Sequence, residues 1–244
     1  MTDYSIYTDV GDREINEDSV KTERRSINGK ECSLFVLCDG LGGHGRGEVA
    51  SALFCETAVE CFKAADDIEN LLPQIFKEGQ KRILELQEKE HAKTEMKTTA
   101  VVLLIADDWI QWGHVGDSRL YRFSKLRLIE RTLDHSVPQI LVSAGDIKES
   151  EIRNHPDRNR LLRVIGEEWE GEGYSLSEKI RRKGGERFLM CSDGFWENII
   201  EKKMWWMMLQ SKSAEVWLGK MKEEVKQNGA GKNMDNNTAI VVML

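Results

Sequence analysis

Three short apolar runs, residues 33–38 (SLFVLC), 188–191 (FLMC) and 238–243 (TAIVVM), each lie beside an aspartate: Asp39, Asp193 and Asp235. Runs this short and this apolar read as buried strands ending in turns. A carboxylate at the end of a buried strand is held rigidly near the core, yet can face a cleft. Hard divalent cations such as Mg2+ and Mn2+ take oxygen ligands and keep several waters, which such a position suits. Taken alone, each Asp-Gly dipeptide is better explained as a turn.

The rest of the chain fits strands grouped around paired helices. Apolar spacing predicts helices over 48–64 and 68–90, with Pro73 in the first turn of the second. The period then changes to that of strands: 98–105, 109–115, 118–123 and 127–129, an antiparallel meander with turns at Asp107-Asp108 and Gly116-Asp117. Residues 136–153 read as helical with a break at Gly145, 201–210 and 213–227 as two further helices, and 229–237 as a loop before the closing strand. Strands in groups with helices in pairs point to α+β with antiparallel sheets. The helix carrying Trp205, Trp206, Met207 and Met208 is expected to pack them in the core rather than offer a partner patch.

Composition narrows the setting. The chain has 244 residues, 40% hydrophobic and 32% charged, which suits a folded domain. Its net charge of −7 disfavours nucleic acid as a partner, and the basic run Arg181, Arg182, Lys183 reads as a solvated loop. The five cysteines include no CxxC pair, so a disulfide framework or zinc site is not expected, and a cytoplasmic location is. The acidic start has no apolar core of a signal peptide, and no run is long enough to cross a membrane.

Residues 11–18 (GDREINED) add a second element. Arg13 offers a planar fork of donors that matches a phosphate, and Glu17 and Asp18 could order water around a metal ion. A solvated charged turn explains this segment equally well by itself. The ordered set GDREINED, VLCDGLGGHGRGEVAS, KTTAVV, GHVGDSRLY, TLDHSVPQILVSAGDI, HPDRNRLLRVIG, LMCSDGF and DNNTAIVV, however, resembles the successive motifs of the metal-dependent serine/threonine protein phosphatases, the 2C-type (PPM) family, in its bacterial branch.

The resemblance implies a four-layer αββα sandwich of two antiparallel sheets flanked by helix pairs, with residues 1–244 forming a single catalytic domain. It implies two Mn2+ or Mg2+ ions: Asp39 bridging both, the carbonyl of Gly40 on one, and Asp193 and Asp235 on the other. Arg13 then matches the phosphate-binding arginine, and Glu17 and Asp18 the acids that order water. Asp117 matches a ligand of a third divalent ion. Glu197 stands where relatives carry an aspartate near that ion, and is either such a group or an ordinary acid at a helix start. Hydrolysis would run through a water activated by the metal pair. No cysteine lies in a Cys-x5-Arg signature, so a thiolate mechanism is disfavoured.

Eukaryotic members often carry a histidine after the first Asp-Gly; here that position is Leu41. His44, nearby, either protonates the leaving alcohol or supports its loop, and the proton otherwise comes from water. Residues 142–173 match a flap beside the site, where His155, Arg158 and Arg160 either meet substrate or pack within the loop. The implied partners are phosphoproteins, among them a Ser/Thr kinase and its targets, and the implied state is a monomer. The competing reading is a catalytically weak phosphoprotein-binding or partner-switching member of the same fold. The full set of acids, Asp39, Asp193 and Asp235, disfavours a catalytically silent fold, and partner switching is disfavoured because such proteins usually carry sensor or coiled-coil domains, of which the sequence shows no sign.

Overall fold

The computed structural model describes residues 2–244, with the side chain of His44 outside the described set. Among the described residues eleven strands form two sheets. The first sheet takes β1 (Asp3–Asp9), β11 (Asn237–Met243), β10 (Arg187–Cys191), β6 (Arg119–Phe123) and β7 (Leu128–Arg131), in that order. The second takes β2 (Asp18–Ile27), β3 (Lys30–Asp39), β4 (Ala100–Ile105), β5 (Trp109–Val115) and β8 (Ser175–Leu176), with β9 (Ile180–Arg181) also on β5. Every pairing is antiparallel.

The side-chain alternation of these strands explains the layers. On β3, Phe35 and Leu37 point between the sheets, where they meet Val101, Leu103, Phe188, Met190, Ile240 and Val242. The intervening Leu34, Val36 and Cys38 point outward, to a core shared with α1 (Gly47–Ala64) and α2 (Leu71–Lys89). The first sheet does the same: Leu189, Cys191, Ala239 and Val241 pack beneath α5 (Glu201–Leu209) and α6 (Ala214–Gly229). Strands covered on both faces need apolar residues at consecutive positions, which is why β4 reads AVVLLI without a polar break. Each large side chain so buried contributes about 1.5–3 kcal/mol. The α+β sandwich expected from the sequence is the observed fold.

Several elements differ from expectation. The residues before 33, for which no strand is expected above, carry β1 ahead of the charged segment 11–18, and Asp18 opens β2 in a buried position. Both strands lie at sheet edges and carry polar residues on their open faces, so their apolar period is weak. The helix expected over 136–153 is α3 (Val137–Ala144), ended by Gly145 at φ 84°, followed by a 3-10 turn, Glu149–Asn154. A short α4 (Asp193–Trp196) follows β10 directly. On α5, Met204 and Met208 are buried while Trp206 is 57% exposed. All five cysteines are free and buried. Among the described residues no helix is long and apolar enough to cross a membrane.

Candidate active site

Antiparallel pairing delivers the acids to one end of the sandwich. In the first sheet, Asp9 pairs with Asn237, Cys191 with Ala239 and Arg119 with Cys191. The end of β1, the start of β11, the end of β10 and the start of β6 therefore coincide, bringing together the segments with Arg13, Asp235, Asp193 and Asp117. In the second sheet Asp18 pairs directly with Asp39, and Ala100 with Val115. The β5–β6 connection, which holds Asp117, crosses between the sheets at the same end.

These residues line a cleft of about 410 Å3, with Arg13, Glu17, Asp39, Asp117, Asp193 and Asp235 on its walls. Asp18 and Asp117 are buried, while Asp39, Asp193 and Asp235 each keep a side open to the cleft. Burial pushes the Asp39 and Asp117 carboxyls well above the usual carboxylate range, with the neighbouring aspartates adding to the shift. Asp193 is raised to about 6, by burial first and then by Asp235. Asp18 is raised to about 7 by burial; one of its oxygens accepts from Ser192 at 2.9 Å and the other is buried with no partner. Like charges gathered in a poorly solvated space destabilise one another.

That donor set fits divalent cations. It is all oxygen, it carries excess negative charge, and it leaves a buried carboxylate oxygen unsatisfied. Among the described residues no three acids, histidines or cysteines are already closed around one point. Ions of the Mg2+ type, which take one or two carboxylates and fill their remaining positions with water, do not require such a cage.

The supports are specific. The Asp39 amide donates to Thr99 Oγ1 at 3.0 Å, and the Asp39 carbonyl accepts from the Thr99 amide and from Thr98 Oγ1. Gly40 has to be glycine: a Cβ there would lie 2.4 Å from the Gly47 backbone and 2.7 Å from the Glu17 carbonyl. Glu17 is half-buried; its amide donates to Asn236 Oδ1, and its carboxyl is raised by burial and then by Glu48. Asn236 also donates to the Val10 and Ile15 carbonyls, which fixes the loop carrying Arg13. Arg13 itself lies against Asp235, Nη2 to Oδ2 at 2.7 Å.

Other parts were not foreseen. Arg119 is buried and forks onto Asp134 at 2.8 and 2.6 Å, its guanidinium lying 3.5 Å from the centroid of the Trp196 ring. Trp196 in turn donates to the Asp117 carbonyl, so this stack props the Asp117 loop. Arg119 and Asp134 lie within the quoted GDSR and LDHS segments, but nothing local says that the two meet. Lys97, 8% exposed, and Asn159, Leu161, Val164 and Glu167 of the flap also line the cleft. Glu197 accepts from Arg158 Nε at 2.8 Å, docking the flap onto the end of α4, and its carboxyl is raised to about 7 by burial and then Asp193. Neither His155 nor Arg160 is among the residues lining the cleft.

The protein phosphatase 2C family model matches residues 10–228. The serine/threonine phosphatase stp of Listeria monocytogenes serotype 4b (strain F2365) is 31% identical over 177 residues, which are 70% of this chain and 69% of that one. The crystal structure of serine/threonine phosphatase Stp1 from Staphylococcus aureus superposes with a TM-score of 0.88 at 27% identity, covering 100% of this chain and 95% of that one. The catalytic domain of serine/threonine protein phosphatase PstP, solved in complex with two manganese ions, gives 0.82 at 27% identity, covering 99% and 97%. The chain belongs to the protein phosphatase 2C family of metal-dependent enzymes, and is a protein-serine/threonine phosphatase.

Proposed function

We propose that this chain, acting as a single catalytic unit, hydrolyses phosphoserine and phosphothreonine in proteins with two divalent ions held by Asp39, the Gly40 carbonyl, Asp193 and Asp235, and a third ion at Asp117. The observation that carries this reading is the convergence of these acids on one cleft, under conditions of burial that disfavour their bare charges. Divalent ions, when bound, neutralise charge on the phosphoryl oxygens and make water nucleophilic near neutral pH.

The side chains account for the rest. Arg13 sits at the rim, its side chain 51% exposed, and can exchange Asp235 for the non-bridging oxygens of a phosphate. A donor aimed at charge that grows in the transition state lowers the barrier. Glu17 and the unpartnered oxygen of Asp18 hold water beside Asp39. Leu41 supplies no proton, so the leaving oxygen takes one from ordered water. The substrates are phosphoproteins of the cytoplasm, a Ser/Thr kinase and its targets among them, met by the monomeric enzyme.

The test is turnover of p-nitrophenyl phosphate and of a phosphothreonine peptide. Mn2+ should support both and EDTA should abolish both. A protein that stays inert with Mn2+ present would sink the reading.

A further inference from the structure

Lys97 is the cationic residue on the flap-side wall of the cleft, and its surroundings single it out. Only 10% of its side chain is exposed, so its stem is fixed, and its ammonium reaches Glu167 of the flap. Its backbone is tied to the metal-site loop: the Lys97 carbonyl accepts from the Leu41 amide at 2.9 Å, two residues beyond Asp39. The next residue, Thr98, exchanges backbone hydrogen bonds with Ile165 at 3.1 and 2.9 Å.

Glu167 is held differently. Two buried glutamines of α2 fix the backbone here: Gln80 accepts from the Gly166 amide at 2.8 Å, and Gln87 donates to the Gly166 carbonyl at 2.9 Å. The Glu167 side chain is 52% exposed. A carboxylate so open to water gains little from its ion pair and is readily displaced, whereas the buried-stem lysine has nowhere else to go. Around Lys97 the cleft is otherwise acidic, with Arg13 already against Asp235.

We infer that Lys97 is a specificity-determining residue that binds an acidic side chain next to the phosphorylated residue of the substrate, with Glu167 as the internal carboxylate that the substrate displaces. The inference rests on the phosphatase reading above. Adjacent residues of an extended peptide are about 3.3–3.6 Å apart along the chain. A flank one or two positions from a phosphate near Asp39 is therefore within reach of the wall that Lys97 occupies. Without Lys97, Glu167 would face the same flank as an uncompensated like charge.

The test compares two phosphothreonine peptides of equal length, one with glutamates beside the phosphothreonine and one with glutamines, as a ratio of kcat/KM within each enzyme. The ratio cancels any general change in turnover. Lys97→Met should lower the acidic-to-neutral ratio about tenfold and Glu167→Gln should raise it, the second variant serving if the first folds poorly. An unchanged ratio in either folded variant overturns the inference, and so does an equal loss on both peptides. Wild-type protein that turns over neither peptide with Mn2+ fails the phosphatase reading, and this inference with it.

Discussion

Arg13 shows how much a single side chain depends on what is bound beside it. Its guanidinium is half exposed and paired with Asp235, and Asp235 together with Asp193 and Glu17 favours its charged form. Arg13→Ala should lower kcat/KM for phosphopeptides by on the order of 100-fold, as loss of one aligned charge-stabilising donor does elsewhere. Mn2+ binding, read by thermal shift, should survive in this variant because Asp235 loses only a competitor. Unchanged kcat/KM would remove Arg13 from phosphate binding. Arg13 could be named from sequence because its type matches a phosphate; its contact with Asp235, 222 positions away, could not. Lys97 and the Arg119–Asp134 pair stayed invisible for the same reason: each works through a partner brought in by another strand or loop.

Among the elements, the segment that leads into α3 is pinned to both the meander and β8. His135 Nδ1 accepts from the Gly116 amide at 3.2 Å, and its Nε2 meets Ser175 Oγ at 2.9 Å. The ring stacks on His114 at 4.6 Å, and His114 meets the Leu133 carbonyl at 2.8 Å. Burial, with His114 and Arg163 as lesser causes, lowers His135 to about 3. His114 is also lowered, by burial first, with Asp134 opposing and Arg131 and Arg163 reinforcing. In the unfolded chain a histidine binds its proton near pH 6.5. Between about pH 6.5 and 3 the unfolded state therefore binds a proton that the folded state does not, so stability falls as pH falls through that window. For His135 alone, going from pH 6.5 to 5 costs about 2 kcal/mol, or roughly 4–8 °C in Tm. His135→Asn should flatten the fall in Tm between pH 7 and 5 by about that amount. Parallel Tm curves for variant and wild type would show that the histidine does not stay neutral. The helix stop at Gly145 was legible in the sequence, whereas the edge strands β1 and β2 were not, because only one face of each meets the core.

For the molecule as a whole, one end of the sandwich concentrates negative charge that folding alone does not compensate. Cations that bind there stabilise the folded state, by about 2.7 kcal/mol at a hundred times the Kd. At this chain length that corresponds to a rise in Tm of roughly 5–10 °C. Mn2+ should produce such a rise, EDTA should reverse it, and Asp193→Asn should diminish it; a Tm indifferent to Mn2+ would mean that the acids do not form an ion site. The sequence by itself determined the class of fold, because uninterrupted apolar strands such as β3, β4 and β11 can persist only between two covering layers. It also determined the chemistry on offer, because carboxylates were placed beside the ends of β3, β10 and β11. What only the tertiary structure decided was the convergence. The antiparallel registers Asp18 with Asp39 and Asp9 with Asn237 place remote segments side by side, and pairing of that kind depends on strand order in space rather than on any local pattern. The aspartates beside the three apolar runs, each an ordinary turn when read alone, become one charged cleft through those registers.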